Sequence, residues 1–191
     1  PGSRLLLLST GTGLAPFASL IKDPDVYERF ESIVLVHGCR QVSELAYGEE
    51  LVAKLRDDEL FGPMLQQKLL YYPTVTRDPF RNRGRITDLI NSGKLFGDIG
   101  LASLDPAHDR VMICGSPALV NDTRALLNGR GFVEGNHGEA AQFVGEAGAA
   151  VAVQPRGVCG GAARGEESAD VLEAFEVPHP HDVVPLGFAD G

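Results

Sequence analysis

The sequence LLLLSTGTGLAPF, residues 5–17, contains the pattern that decides the fold. Four consecutive leucines predict a strand that is buried on both faces, because a strand with one solvent-facing side alternates apolar and polar residues. A glycine-containing turn from Thr10 to Gly13 follows, and an apolar segment typical of a helix begins at Leu14. A strand that leads through such a turn into a helix indicates an α/β unit.

The same alternation continues to about residue 136. Strands are predicted at Leu5–Ser9, Ile33–His37, Leu69–Thr76 and Val111–Cys114, with a weaker fifth near Phe132–Val133. Helices are predicted at Leu14–Lys22, Glu44–Arg56, Ile86–Asn91 and Pro117–Arg130. Short apolar strands between helices predict a doubly wound, mostly parallel five-stranded sheet.

The last part of the chain differs in composition from the first 144 residues. The net charge is −9, and residues 145–191 hold eight acidic side chains but only two basic ones. This stretch is rich in Gly and Ala, and its prolines at 178, 180 and 185 disfavour regular structure. We therefore predict an α/β domain at residues 1–144 and a disordered or atypical tail at residues 145–191.

Composition also excludes several classes of protein. An acidic balance argues against nucleic acid as the main partner, because binding to the phosphate backbone requires a basic face. The leucine run is too short to span a bilayer and lacks signal-peptide features, so we expect no membrane contact and a cytoplasmic location. The three cysteines are widely separated, and no histidine pair has metal-ligand spacing, so neither a disulfide nor a metal site is expected.

Three motifs follow predicted strands, and each has an ordinary structural explanation beside a functional one. The turn Thr10-Gly11-Thr12-Gly13 places backbone N–H groups before a helix, where they favour a phosphate, but a GxG alone also fits a tight connection. Residues 75–85, VTRDPFRNRGR, contain four arginines, which are typical of an anion site or of a solvated loop. Arg40 follows the second strand and fits the same anion site.

The third motif is Cys114-Gly115-Ser116-Pro117, where a buried strand turns into a helix. A lone cysteine at such a place is more often structural than reactive, and the sequence shows no base that would activate it.

A phosphate-binding site at the arginines, separate from the glycine turn, favours NADP over NAD, because the 2′-phosphate distinguishes the two nucleotides.

Together these segments resemble the NADP-binding domain of bacterial ferredoxin–NADP reductases. The resemblance rests on STGTGLAPF at 9–17, VLVHGCR at 34–40, VTRDPFRNRGRI at 75–86 and MICGSP at 112–117, followed by DTRALL and GFVEGNHGE. It covers roughly residues 4–144 in the family's order. The bacterial subclass, which also uses flavodoxin as a partner, is the most similar.

The resemblance implies a function and a set of site residues. The activity would be hydride transfer between NADPH and FAD, coupled to one-electron exchange with ferredoxin or flavodoxin. Cys114 would lie beside the nicotinamide and assist its geometry without covalent attack. Thr12 would lie near the flavin, and three arginines would bind the 2′-phosphate and adenosine end. The implied cofactor-binding residues are Thr10, Gly11, Thr12, Gly13, Pro16, Arg40, Arg77, Arg85, Gly115, Ser116 and Pro117.

Two departures from the family lead to further expectations. Family members begin with a flavin-binding β-barrel, for which no segment exists here, so this chain is expected to lack the flavin domain and to hold FAD poorly. The resemblance ends at Phe143-Val144, which suggests a shift of reading frame near that point.

Two alternative functions remain: a stand-alone, non-catalytic NADP(H)-binding module, and the reductase component of an oxygenase. The second is disfavoured because no cysteine-rich iron–sulfur segment is present.

Overall fold

A computed structural model describes residues 3–135 and 142–147, with the backbone alone at residues 146 and 147. Five strands form one sheet in the order β3-β2-β1-β4-β5, and every neighbouring pair is parallel. The strands are β1 Arg4–Thr10, β2 Ser32–Cys39, β3 Leu69–Val75, β4 Asp109–Gly115 and β5 Phe143–Ala147. The predicted doubly wound parallel sheet is confirmed.

Helices cover both faces of the sheet, which explains the unbroken leucine run. Leu5 and Leu7 pack in one apolar cluster, and Leu6 and Leu8 pack in the other. All four are fully buried, because successive side chains of a strand point to opposite faces and both faces here are covered. The helices are α1 Leu14–Leu20, α2 Pro24–Arg29, α3 Ala46–Arg56, α4 Gly62–Lys68, α5 Ile86–Asn91, α6 Lys94–Ile99 and α7 Pro117–Asn128.

The prediction of a fifth strand near Phe132–Val133 is wrong, because the fifth strand is β5. Phe143 is fully buried and pairs with Val111 of β4, whereas Val133 is exposed. Phe132 is buried in the core without joining the sheet. The backbone of Val133 instead accepts a hydrogen bond from the N–H of Gln142, so this segment lies beside the start of β5 as an irregular connection.

The expected domain boundary at residue 144 falls inside β5, which continues to Ala147. The predicted tail beyond that point, residues 148–191, lies outside the described residues, as does Cys159. Among the residues that are described, no helix is long and apolar enough to cross a membrane.

A buried ion pair fixes the amino-terminal edge of the sheet. Arg4 in β1 donates from Nε and Nη2 to the two carboxylate oxygens of Asp109 in β4, at 2.7 and 2.6 Å. Its Nη1 also donates to the carbonyl of Ala102, and its guanidinium lies over the ring of Phe96. Because Asp109 is 1% exposed, the pair is shielded from water and joins two central strands at the edge opposite to their carboxyl ends.

Candidate nucleotide-binding site

Parallel strands bring the three motifs to one edge of the sheet. The carboxyl ends of β3, β2, β1 and β4 are followed by residues 76–85, Arg40, the turn at residues 11–13 and Ser116, in that order across the sheet. Three strand spacings separate the first of these from the last, a span of about 14 Å. The surface is therefore a row, which suits an elongated ligand better than a single phosphate.

The glycine turn consists of one 3-10 turn, Gly11–Gly13, between β1 and α1. Gly11 has a φ of +53°, and no atom lies within 4 Å of the position that its Cβ would occupy. Gly11, Thr12 and Pro16 are exposed, while Gly13 is buried. The outer side of the turn is thus open, and its inner side packs against the protein.

The turn interlocks with the motif after β4. A Cβ on Gly13 would overlap the carbonyl oxygen of Cys114, and one on Gly115 would overlap the hydroxyl of Thr10. The Thr10 Oγ1 accepts a hydrogen bond from the N–H of Ser116 at 3.1 Å. The structure therefore places the Thr10 oxygen against its neighbouring turn, and among the described residues the O–H proton has no acceptor, so it can be donated to a ligand.

The remaining residues of the third motif shape the start of α7. Ser116 is the N-cap, and its Oγ accepts the N–H of Leu119 at 3.2 Å, while Pro117 occupies the first helical turn. Cys114 is half-buried and packs against the apolar cluster between the sheet and α1. Its backbone carbonyl lies against Gly13 of the glycine turn. The positioning role expected for this cysteine stays a prediction.

Residues 76–85, called here the arginine loop, connect β3 to α5. The N–H of Arg77 donates to the carbonyl of Arg40 at 2.9 Å, so the backbones of these two arginines are in contact. Arg85 is the N-cap residue of α5 at the other end of the loop. Arg40, Arg77 and Arg85 are exposed, and no carboxylate in residues 3–135 or 142–145 forms an ion pair with any of them. Three such guanidinium groups on one edge suit an anionic ligand.

A buried polar cluster that the sequence motifs do not reveal lies beneath the glycine turn. His37 is 2% exposed; its Nδ1 lies 3.1 Å from the hydroxyl of Tyr71, and its Nε2 lies 3.3 Å from Cys39 Sγ. Burial lowers the pKa of His37, an effect that a hydrogen bond with the Gly11 backbone and the charge of Glu44 partly oppose. Burial raises the pKa of Cys39 to about 11, so this cysteine is a thiol at neutral pH. The only sequence signal is a histidine within an apolar strand.

Lowering the pH from 7 to 5 is expected to destabilise the fold through His37. The folded-state pKa lies below the ordinary value of about 6.5, so the unfolded chain binds more protons. Stability from this group is present above about pH 6.5 and is lost as the pH falls toward the folded-state pKa. In urea unfolding at pH 5, 6 and 7, His37→Gln should therefore show a shallower decline than the unmodified chain. His108→Gln, on an exposed residue, is the control, and equal slopes for His37→Gln and the unmodified chain would contradict the expectation.

No group of His, Cys, Asp and Glu that could hold a metal ion occurs in the part of the chain that the structure describes.

A family model described as the oxidoreductase NAD-binding domain matches residues 7–125. The chain belongs to this family. In the NAD-binding domain described here, the matched region runs from β1 into α7 and so includes all three motifs of the site.

Curated relatives and solved structures agree with this NAD-binding family. Ferredoxin–NADP reductase A of Sorangium cellulosum is 55% identical over 144 residues, which are 75% of this chain and 52% of the relative. Ferredoxin–NADP reductase of Azotobacter vinelandii is 58% identical over 132 residues, 69% of this chain and 51% of the relative. A ferredoxin NADP+ reductase from Neisseria gonorrhoeae, solved with bound FAD and NADP, has a TM-score of 0.65 at 28% identity and covers 76% of this chain and 56% of that one.

The resemblance to bacterial ferredoxin–NADP reductases is therefore confirmed for the NAD-binding region. The chain spans about half the length of the curated relatives that it matches. The described residues place the candidate site entirely within the matched region.

Proposed function

We propose that this chain supplies the NADP(H)-binding half of a ferredoxin(flavodoxin)–NADP+ reductase, an FAD-dependent oxidoreductase. The observation that carries the proposal is the meeting of the arginines and the glycine turn in one row at the carboxyl edge of the sheet. Identity of 55% and 58% with relatives named ferredoxin–NADP reductase supports it. Guanidinium groups that form no ion pair within residues 3–135 and 142–145 fit a nucleotide phosphate, and the open side of Gly11 lets a ligand approach the backbone.

The proposed roles follow the order of the row. The three arginines bind the 2′-phosphate and the adenosine end of the nucleotide, and the turn at residues 10–13, with Pro16, lines the pyrophosphate and nicotinamide side. The turn Gly115-Ser116-Pro117 completes the nicotinamide end, and the packed side chain of Cys114 orients the ring without attacking it. FAD, when bound, supplies the exchange of an electron pair for single electrons. The contribution of this chain is to bind and to orient.

The same proposal extends to partners and location. Ferredoxin or flavodoxin is the proposed one-electron partner, because relatives carry both names, including a flavodoxin/ferredoxin–NADP reductase of Rhodobacter capsulatus at 49% identity. A flavin-binding domain is the proposed neighbour of this NAD-binding domain, and the cytoplasm is the proposed location.

Reconstitution tests the reductase activity. The chain is mixed with an FAD-loaded flavin barrel domain from such a reductase. Flavin reduction by NADPH is then measured as the loss of the flavin's visible absorbance. Faster reduction with the chain than without it is expected. NADP+ binding with no acceleration would instead favour a stand-alone, non-catalytic NADP(H)-binding module.

Removing two arginines should separate the two nucleotides. The double variant Arg77→Ala with Arg85→Ala is expected to weaken NADP+ binding about 100-fold and NAD+ binding less than about threefold, because only NADP+ has the charged group that they contact. Isothermal titration calorimetry measures both affinities. Arg130→Ala, which removes an arginine beyond the end of α7, is the control. Equal losses for the two nucleotides would mean that these arginines do not read the 2′-phosphate.

A further inference from the structure

We propose that Thr74 and Asn82 are positioning residues that set the preference for a 2′-phosphorylated nucleotide by holding the arginine loop against β3. The inference rests on the proposed function and deepens it. Neither side chain is among the residues that the three motifs assign to the ligand. Both act through Arg85, whose backbone position they fix, while Arg77 is held by separate contacts.

Thr74 ties the returning part of the loop to the sheet. It is the second-last residue of β3 and is 1% exposed. Its Oγ1 lies 3.1 Å from the carbonyl oxygen of Asn82 and 3.0 Å from that of Gly84. A hydroxyl has one proton to donate, so the Thr74 hydroxyl shares that proton between the two carbonyl oxygens. A buried hydroxyl in this place therefore specifies where residues 82–84 lie.

Asn82 makes the complementary contact from the loop side. Its Nδ2 donates to the carbonyl of Pro73 at 3.0 Å, and its own carbonyl accepts the N–H of Val75 at 3.1 Å. The N–H of Gly84 donates to the carbonyl of Val75 at 3.0 Å. Residues 82–84 therefore run along the outer side of β3, the side away from β2. These contacts, together with those of Thr74, are called here the loop clasp.

The outgoing part of the loop is fixed separately. The N–H of Arg77 donates to Arg40, and the carboxylate of Asp78 accepts the N–H of Val42 at 2.9 Å. Arg77 is thus held at the end of β2, while the loop clasp sets the position of Arg85 one residue beyond Gly84. With both ends fixed before the ligand arrives, less conformational freedom is lost when the arginines close on a phosphate.

Loosening the loop clasp should therefore weaken one ligand selectively. The affinity that the 2′-phosphate adds requires both arginines in place, whereas a nucleotide without that phosphate interacts little with them. A variant that only destabilised the fold would leave the ratio of the two affinities unchanged among folded molecules. The ratio of affinities, rather than either affinity alone, is the informative measurement.

The test uses adenosine 2′,5′-bisphosphate and adenosine 5′-monophosphate as probes, with affinities measured by isothermal titration calorimetry. Thr74→Val keeps the shape of the side chain and removes the hydroxyl, and Asn82→Ala removes the amide. Each is expected to lower the ratio of the two affinities about fivefold, the effect of losing one hydrogen bond. Thr74→Ser should restore the ratio. Thr123→Val is the matched control, because Thr123 is also buried but lies in α7, and its hydroxyl has no hydrogen-bond partner among the described residues.

The outcomes distinguish the two proposals. If the unmodified chain does not favour the bisphosphate, the proposed NADP preference fails. If it does favour the bisphosphate and both Thr74→Val and Asn82→Ala keep the ratio, the positioning role is overturned while the proposed function stands. If Thr74→Val does not fold, Asn82→Ala decides the test. An unchanged ratio of affinities in Asn82→Ala then rejects the positioning role.

Discussion

Replacing Gly13 with alanine is expected to reduce NADP+ binding by at least about 100-fold, because the glycine turn must move to accept a methyl group. The added Cβ would overlap the carbonyl oxygen of Cys114 and lie 2.6 Å from its carbonyl carbon and 2.8 Å from Cα of Gly115. All of these atoms belong to the backbone at the end of β4, which pairs with β1 on one side and β5 on the other. The backbone of β4 cannot shift without disturbing its pairing with β1 and β5. We therefore expect a loss of stability of about 3 kcal/mol together with the loss of binding.

Calorimetric titration with NADP+ and thermal unfolding measure the two effects. Gly97→Ala is the control, since Gly97 lies in α6 with nothing within 4 Å of the Cβ position. Alanine is favoured over glycine in a helix by about 1 kcal/mol, so this variant should be at least as stable as the unmodified chain. Unchanged NADP+ affinity in Gly13→Ala would disprove the close packing of the two turns.

Removing the carboxylate of Asp109 should have the largest effect on stability. Asp109→Ala leaves the buried guanidinium of Arg4 without its anion, and breaking a buried pair in this way costs about 3–5 kcal/mol. The substitution also removes the acceptor for the N–H of Asp105, at 2.8 Å in the native chain. We expect a large fall in the melting temperature with no specific change in nucleotide preference among the folded molecules.

Urea unfolding monitored by circular dichroism provides the free energy for this comparison. The control variant is Glu50→Gln, which breaks the exposed pair between Glu50 and Lys54 in α3 and should leave stability unchanged. The double variant Arg4→Met with Asp109→Leu should be more stable than Asp109→Ala, because it removes the unpaired charge. Equal unfolding midpoints for Asp109→Ala and Glu50→Gln would show that the Arg4–Asp109 pair does not hold the sheet together.

The sheet is predictable from the sequence where its strands are buried on both faces. Leu5–Leu8 has the continuous apolar character that such strands require, and β2 and β4 are similar. The strand β5 is not, because FVGEA interrupts its three apolar residues with a glycine and an acidic residue. The short helices α2, α4 and α6 also escape prediction, because PDVYER, GPMLQQK and KLFGDI lack apolar residues at i, i+3 and i+4. The equally short α5 has that spacing at Ile86, Leu89 and Ile90 and is predicted.

The site is predictable to the level of its motifs but not of its supports. Parallel strands bring their carboxyl ends to one edge, so residues that follow them, such as Arg40 and Arg77, are expected to meet. By contrast, Thr74 and His37 occupy strand interiors, where a polar residue has no distinctive spacing. Their contacts depend on how the loop and α3 fold back, and those are tertiary relations that a linear pattern does not contain.

The loop clasp has a consequence for self-association. An edge strand offers unpaired backbone groups to any other chain, and such edges are common starting points for aggregation. In β3 the outward N–H and carbonyl of Val75 are already bonded to residues 82 and 84, and Pro73 has no N–H to offer. The loop that carries the arginines thereby also blocks the carboxyl half of this edge against a second molecule. Substitutions that release the loop are expected to reduce solubility as well as selectivity.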